Sequence, residues 1–313
     1  MKKYAFLFCL IMVSLILASC QIVISTPTTP SGDAEVDDQQ AAIELLLTEQ
    51  AATIESLTTL VAETPAPIPT EAEISPEATE DPLYGGEFVV IESGGLIFRL
   101  PVEVAQTAAV SVVQADDPNQ GWPEFALPER RIASFLGYRI QNHFHTPVIY
   151  VYPLLGLYQG GQIGAATAAR LQALLNDPAF NLQAEADLPF LPPFNAAQVI
   201  HVLEQRLESE HNIGIRYLTL YSQAFVGVDN YNIFYTYQGI SADGRYYIAA
   251  ILPINSSLLS DEELTQTELE AISGDYVAYL TGKTDLIRAD AGASLIPTLA
   301  ALDAMMMSLV SQD

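Results

Sequence analysis

The centre of the fold is predicted from IFYTYQGISADGRYYIAAILP, residues 233–253. Two runs of aromatic and β-branched residues, 233–238 and 245–253, stand on either side of Ser241-Ala242-Asp243-Gly244. An Asp-Gly pair between two such runs is a strong signal for a tight antiparallel hairpin. The sequence therefore predicts two paired strands, with the remaining elements arranged around them.

Similar strand patterns occur on both sides of this hairpin. Glu87–Ile91 and Leu96–Leu100 flank Ser93-Gly94-Gly95 and predict a second hairpin. Helical spacing is found at 165–175 and at 196–208, where Asn195 serves as the N-cap. The other predicted elements are strands at 108–114, 132–141, 148–154 and 215–223, a helix that follows Ser260 and runs toward Leu280, and a helix at 295–310. Strands outnumber helices and follow one another as meanders, so we predict an α+β fold, a mainly antiparallel sheet flanked by helices.

Both ends of this region resemble a known family. Gly95-Leu-Ile-Phe-Arg-Leu-Pro101 is similar to the opening strand of PsbP-like and Mog1-like domains, and Leu302–Leu309 resembles their closing helix. The Asp243-Gly244 hairpin suits their antiparallel sheet. The resemblance implies a sheet flanked by helices in a family of mostly binding or assembly factors, and it implies no catalytic residues.

The N-terminus has the three zones of a secretory signal peptide. Lys2 and Lys3 precede an apolar run, Tyr4–Leu17, that is shorter than the roughly 20 residues a membrane span needs. Leu17-Ala18-Ser19-Cys20 then resembles the lipobox of bacterial lipoproteins. The resemblance implies cleavage after residue 19 and acyl chains, palmitate among them, on Cys20. The alternative is an ordinary signal peptide with a chance cysteine.

Residues 20–83 are predicted to form an acidic stalk rich in Pro and Thr. Residues 21–83 contain 13 acidic residues and no Lys or Arg, a composition that cannot bury enough apolar surface to fold. Within it, residues 39–63 lack Pro and Gly and place apolar residues at alternating spacings of four and three. That pattern favours either a short coiled coil, through which the stalk would self-associate, or a lone, partly disordered helix.

Charge and cysteine content exclude several functions for the globular domain, predicted at 84–313. It has 25 acidic and 10 basic residues, a net charge of −15, which argues against binding nucleic acid. The two cysteines of the chain, Cys9 and Cys20, precede the domain, so it has no disulfide, thiol nucleophile or thiolate metal site. No cofactor is predicted.

The histidines are candidates for a metal or small-molecule site. His143 and His145 follow a predicted strand and would face the same side of it. The alternative is a pair of half-exposed loop residues before Pro147. A further candidate is a mixed site of histidines and carboxylates on the predicted helix. The alternative is that these residues form a solvated helix face. The residues concerned are His201, Glu204, Glu208, Glu210 and His211.

The tyrosines of two adjacent strands are candidates for a binding groove. Tyr217 and Tyr221 share one strand face, and Tyr235 and Tyr237 share a face of the next strand. They would line a groove for an extended polymer or a protein partner. The alternative is that they form a half-buried sheet face under a helix.

Other motifs offer weaker chemistry. The glycines of 156–164 lack the spacing and the Lys of a phosphate loop, and 116–121 lacks the distal Glu of an EF-hand. No serine hydrolase elbow is present.

The sequence therefore favours a non-enzymatic binding or assembly lipoprotein, anchored through Cys20 on the extracytoplasmic side of the cell membrane, or of the outer membrane in a cell with two. The alternatives are a metal- or small-molecule-binding lipoprotein and a cell-envelope hydrolase with an unrecognised site.

Overall fold

The structure, a computed structural model, describes residues 84–312 of the chain. Twelve strands are present among these residues: β1 Phe88–Ser93, β2 Leu96–Pro101, β3 Thr107–Val113, β4 Arg130–Leu136, β5 Val148–Pro153, β6 Ala197–Glu208, β7 Asn212–Ser222, β8 Phe234–Ser241, β9 Tyr246–Pro253, β10 Asn255–Ser256, β11 Leu295–Ile296 and β12 Val310–Ser311. The α-helices in the same range are α1 Leu154–Gln159, α2 Gln162–Asn176, α3 Gln266–Ser273, α4 Tyr276–Asp290 and α5 Leu299–Met307. The predicted class, an α+β fold with a mainly antiparallel sheet and flanking helices, is confirmed.

The central element is a seven-stranded antiparallel sheet in the order β3-β4-β5-β9-β8-β7-β6. The hairpin predicted at 233–253 lies in its middle, where Tyr235 pairs with Leu252 and Ile240 with Tyr247. Gly244 takes a φ of +70° in the turn, a conformation that glycine adopts without strain. Every residue of β8 and β9 is buried, because layers cover both faces of the sheet.

One face of the sheet packs against α5 and a smaller sheet. Met305 and Leu302 of α5 meet Leu218 and Tyr235 in one apolar cluster. The small sheet, in the order β1-β2-β12, contributes Phe98 and its neighbours to the same cluster. The predicted hairpin of β1 and β2 is confirmed, with Gly94 and Gly95 at positive φ in the turn.

The opposite face packs against α1 and α2. Leu157 of α1 and Leu171 of α2 are fully buried against Tyr217 and Tyr247 of the sheet. A third, smaller cluster around Phe190 and Phe234 continues this layer toward one end of the sheet. The loop between α2 and β6 closes over that end and supplies most of the lining of a surface pocket.

The predicted helix over 196–208, with Asn195 as its N-cap, is wrong: the segment is the edge strand β6. The register against β7 shifts between Gln198 and Ile200 and again between Val202 and Gln205. Each shift interrupts the regular pairing, so the apolar side chains lose the two-residue period of a strand and acquire a helix-like spacing. The second bulge contains Leu203, whose φ is +56°.

Two other helix boundaries differ from prediction. Ser260 does not cap a helix; α3 begins after Thr265, which forms a capping box with Glu268. The helix predicted over 295–310 is shortened to α5, because Pro297 lies where an interior helical amide would be needed. No helix within the described part of the chain is long and apolar enough to cross a membrane.

Strand β4 is shorter than the predicted 132–141, because Gly137 turns the chain at a φ of +66°. The signal peptide at 1–19, the lipidation at Cys20, the stalk at 20–83 and the coiled coil at 39–63 all lie outside the described residues.

Candidate functional site

A pocket of about 280 Å³ opens where the α2–β6 loop crosses the end of the sheet. Three parts of the chain build it: helix α2, the loop Asp187–Phe194 and the end of β7. The loop reads Asp-Leu-Pro-Phe-Leu-Pro-Pro-Phe, and its prolines restrict φ and have no backbone amide donor to satisfy. The lining residues are Ala166, Thr167, Arg170, Asp187, Leu188, Pro189, Phe190, Pro193, Phe194 and Tyr221.

Three aromatic rings form the floor of this pocket. The ring of Tyr221 lies 4.6 Å from that of Phe190 and 5.3 Å from that of Phe194, centroid to centroid, and the latter pair is edge-to-face. Phe190 and Phe194 are themselves 4.9 Å apart. Phe190 is buried, whereas Phe194 and Tyr221 are only partly buried. The floor therefore presents apolar ring surface to solvent on a rigid support.

A charged rim stands beside the rings. Arg170 of α2 forms an ion pair with Oδ1 of Asp187 at 2.8 Å and another with Oε2 of Glu185 at 3.3 Å. The guanidinium also donates to the backbone carbonyl of Asp187 at 2.6 Å. Arg170 thereby ties α2 to the loop and holds the Asp187 carboxylate, which is 61% exposed, at the mouth of the pocket.

The hydroxyl of Tyr221 is fixed from behind by Gln198 of β6. Gln198 donates from Nε2 to this hydroxyl at 2.9 Å, while its Oε1 accepts from the Leu188 amide at 2.8 Å. Burial raises the pKa of the Tyr221 hydroxyl, the hydrogen bond from Gln198 opposes that shift, and the nearby Asp187 carboxylate adds to it. Tyr221 is therefore a neutral, oriented phenol at pH 7.

The predicted histidine pair lies behind this floor. The ring of His145 stacks on Phe194 at 5.3 Å and contacts Phe234 edge-on at 4.5 Å. His143 accepts the amide of His145 at Nδ1, 2.9 Å, and its Nε2 lies 2.7 Å from the Ile233 carbonyl, which can only accept. These contacts assign the neutral Nε2–H tautomer to His143 and leave it no lone pair for a metal.

Among residues 84–312, no group of three or more His, Cys, Asp or Glu side chains is placed to hold a metal ion. Burial lowers the pKa of both His143 and His145. The pKa of His145 falls to about 4, and the neighbouring His143 contributes to that shift. Both rings are thus neutral at pH 7 and act as aromatic packing beneath the pocket.

The four predicted tyrosines do not form one groove. Tyr217 belongs to the α1–α2 side of the sheet, and Tyr235 and Tyr237 belong to the α5 side. These three are fully buried, and each hydroxyl has a partner: the Pro189 carbonyl, Asp303 and Asn212 respectively. Only Tyr221 of the four reaches the pocket.

The second histidine candidate is only partly brought together. His201 contacts Glu204 at 2.6 Å, and Arg288 of α4 contacts the same carboxylate oxygen at 3.2 Å. Nε2 of His201 meets the Glu185 carbonyl at 3.0 Å, so both ring nitrogens lie beside oxygen atoms of the protein. His211 instead pairs with the exposed Glu210 at 3.4 Å, and Glu208 lies at the end of β6.

The bulge in β6 turns Glu204 inward. Its side chain has no exposed surface, and its Oε2 and the Nε of Arg288 lack hydrogen-bond partners within the described range. Burial would raise the pKa of Glu204, but hydrogen bonds from His201 and the backbone, with the charges of His201 and Arg288, lower it. Such a cluster resembles an active site electrostatically, but its carboxylate has no exposed surface, so we interpret it as a structural ion network.

The other sequence candidates have protein partners. Asp116 accepts from the Leu127 amide and Arg130, and Asp117 caps the turn at Asn119, which occupies the oxygens a calcium ion would need. The glycine run 156–164 forms the junction between α1 and α2. The amide of Gly161 donates to the Ala126 carbonyl at 2.9 Å, and carbonyl oxygens crowd the place of a phosphate.

Neither a protein-family model, nor a curated protein, nor a solved structure shows significant similarity to the chain. The resemblances to bacterial lipoproteins and to PsbP-like and Mog1-like domains therefore stay predictions.

Proposed function

We propose that the protein is a lipid-anchored, non-catalytic binding module, and that it takes its ligand in the pocket over Phe190, Phe194 and Tyr221. The observation that carries the proposal is this floor of three packed rings, two of them only partly buried, beside the Arg170–Asp187 ion pair. A concave, mostly apolar surface with a few oriented polar groups is the usual form of a ligand site.

The chemistry of the pocket supports binding over catalysis. Its polar side chains are Thr167, Arg170, Asp187 and Tyr221. Arg170 is held by two carboxylates, and the raised pKa of Tyr221 keeps its hydroxyl protonated, so neither residue is prepared to act as a base. The resemblance to a family of binding and assembly factors is in agreement.

The proposed location follows from the N-terminal sequence. Lipid on Cys20 would hold the chain on the extracytoplasmic side of the cell membrane, or on the outer membrane where a cell has two. Residues 20–83 would act as an acidic spacer, and the heptad pattern at 39–63 would let it self-associate. Partners are then the membrane, a second copy through the stalk, and a protein or small molecule at the pocket, but no nucleic acid.

Crosslinking in native envelopes tests the binding site. The full lipoprotein is compared with Tyr221→Ala, with Phe194→Ala, and with an anchored control that lacks residues 84–313. Trp122→Ala serves as the matched variant, because Trp122 is an aromatic residue that is 74% exposed and does not line the pocket. We expect one stoichiometric product that persists in Trp122→Ala and disappears in both pocket variants. If the two pocket variants fold and give as much of the crosslinked product as the wild type, the proposal is wrong.

A further inference from the structure

We infer that the pocket selects an organic cation, a ligand with an aromatic or apolar body and an ammonium or guanidinium head. This inference rests on the proposed function and adds the chemical class of the ligand. The body would lie on the exposed parts of the Phe194 and Tyr221 rings, and the head would meet the carboxylate of Asp187.

The arginine in the rim does not make this an anion site. Arg170 already faces three acceptors: Oδ1 of Asp187 at 2.8 Å, the Asp187 carbonyl at 2.6 Å and Oε2 of Glu185 at 3.3 Å. Two carboxylates oppose its single positive charge, so the side chains of Arg170, Asp187 and Glu185 together carry a net negative charge. A ligand anion would have to displace one carboxylate from Arg170 and leave it uncompensated.

A cation finds a prepared partner at the same place. Oδ2 of Asp187 has no hydrogen bond within the described residues, and the carboxylate lies at the mouth of the pocket. The carboxylate is close enough to Tyr221 to contribute to its raised pKa. A positive head group there would contact both Asp187 and the face of an aromatic ring, and each interaction favours a cation.

The overall charge of the domain also favours a cation. Its net charge is −15, and Lys283 is its only lysine. A negative field over the surface concentrates cations near a cleft and raises their association rate. This field does not discriminate one site from another, so the selectivity must come from Asp187 and the rings.

Titration calorimetry with three probes that share a benzyl body and differ in head-group charge tests the inference: benzyltrimethylammonium, benzyl alcohol and phenylmethanesulfonate, each against the full chain in detergent. We expect the cation to bind about tenfold tighter than the alcohol, and the sulfonate to bind weakest. Asp187→Asn should remove the preference, and Glu185→Gln should reduce it while leaving Asp187 in place. Glu262→Gln, an exposed carboxylate elsewhere, should leave it unchanged.

The outcomes separate the ligand class from the site. If all three probes bind equally, and Tyr221→Ala abolishes their binding, the pocket is a ligand site but the cation inference is wrong. If the cation preference survives in Asp187→Asn but falls in Glu262→Gln, it reflects the overall charge, and the inference is again wrong. If no probe binds, both the inference and the proposed pocket fail.

Discussion

The hydroxyl of Tyr237 donates a 2.6 Å hydrogen bond to Oδ1 of Asn212, and both side chains are buried. The side-chain amide of Asn212 donates in turn from Nδ2 to the carbonyl oxygens of Met306, at 3.0 Å, and Leu309, at 3.1 Å. Through this pair the sheet supplies donors to the Met306 carbonyl at the end of α5, which also accepts from the Leu309 amide, and to the Leu309 carbonyl just beyond the helix. The closing helix is thereby fixed on the sheet by polar as well as apolar contacts.

Tyr237→Phe should lower the free energy of unfolding by about 1–3 kcal/mol, because it leaves the Asn212 oxygen buried without a donor. Urea denaturation measures the change. Tyr231→Phe is the matched control, since the hydroxyl of Tyr231 has no side-chain partner within the described residues and its loss should have little effect. Equal stability of wild type and Tyr237→Phe would show that this bond does not hold α5.

Gly239→Ala should destabilise the protein, by about 1–3 kcal/mol or more, because the space that a Cβ would need is filled by Tyr237. An ideal Cβ at position 239 would lie 2.3 Å from the Tyr237 hydroxyl oxygen and 2.4 Å from its Cε1. The ring is fully buried and cannot move away. Gly274→Ala, which meets nothing within 4 Å, is the control and should be neutral; a neutral Gly239→Ala would contradict the packing described.

Elements with local signals were predictable from the sequence, whereas those shaped by long-range contacts were not. The two glycine-turn hairpins were predicted correctly because the turn chemistry and the strand pattern agree. Strand β6 was predicted wrongly as a helix, because its two bulges depend on the partner strand and on Arg216. Arg216 of β7 donates to the Leu203 carbonyl on the adjacent strand and pairs at 3.3 Å with Asp303 of α5, which is distant in sequence.

The pocket could not be predicted either, since its lining comes from α2, a loop and β7. Of the predicted site residues only Tyr221 lines it, with His145 packed beneath Phe194. A usable local signal was the Asp187–Phe194 loop, where two phenylalanines alternate with prolines and an acidic residue precedes them. Two helix-boundary signals were also overlooked: the Thr265–Glu268 capping box and the break at Pro297.

Glu204 should make stability fall in acid. Its pKa is lowered in the folded protein, so its contribution is complete above the ordinary value of 4.5 and is lost as the pH falls through the lower, folded value. In Glu204→Gln this part of the acid dependence should be missing. Urea unfolding at a series of pH values, from neutral to well below the ordinary pKa, compares the two proteins. Parallel pH profiles would mean that the His201–Glu204 pair is not formed.

His145 should titrate far below an ordinary histidine. Its pKa is lowered to about 4, so the folded protein binds its proton less readily than the unfolded chain, and stability should decline as the pH falls from about 6.5 toward 4. NMR of the ring Cε1 proton measures the midpoint directly. A midpoint at the ordinary histidine value would contradict the packing of His145 under Phe194.

Divalent ions should leave the thermal unfolding temperature unchanged, because His143 has no free lone pair for a metal. Calorimetry with and without zinc checks this, and His143→Ala with His145→Ala is the comparison. A zinc-dependent rise that the double variant abolishes would restore the metal-binding alternative.

The most direct test of the central claim is to locate a bound probe. Benzyltrimethylammonium is titrated into the isotopically labelled protein, and NMR shift changes are mapped onto the structure. We expect saturable changes concentrated at Thr167, Arg170, Phe194 and Tyr221, with none at Trp122. Changes that are absent, or that centre on another surface, would contradict the claim that this pocket is the binding site.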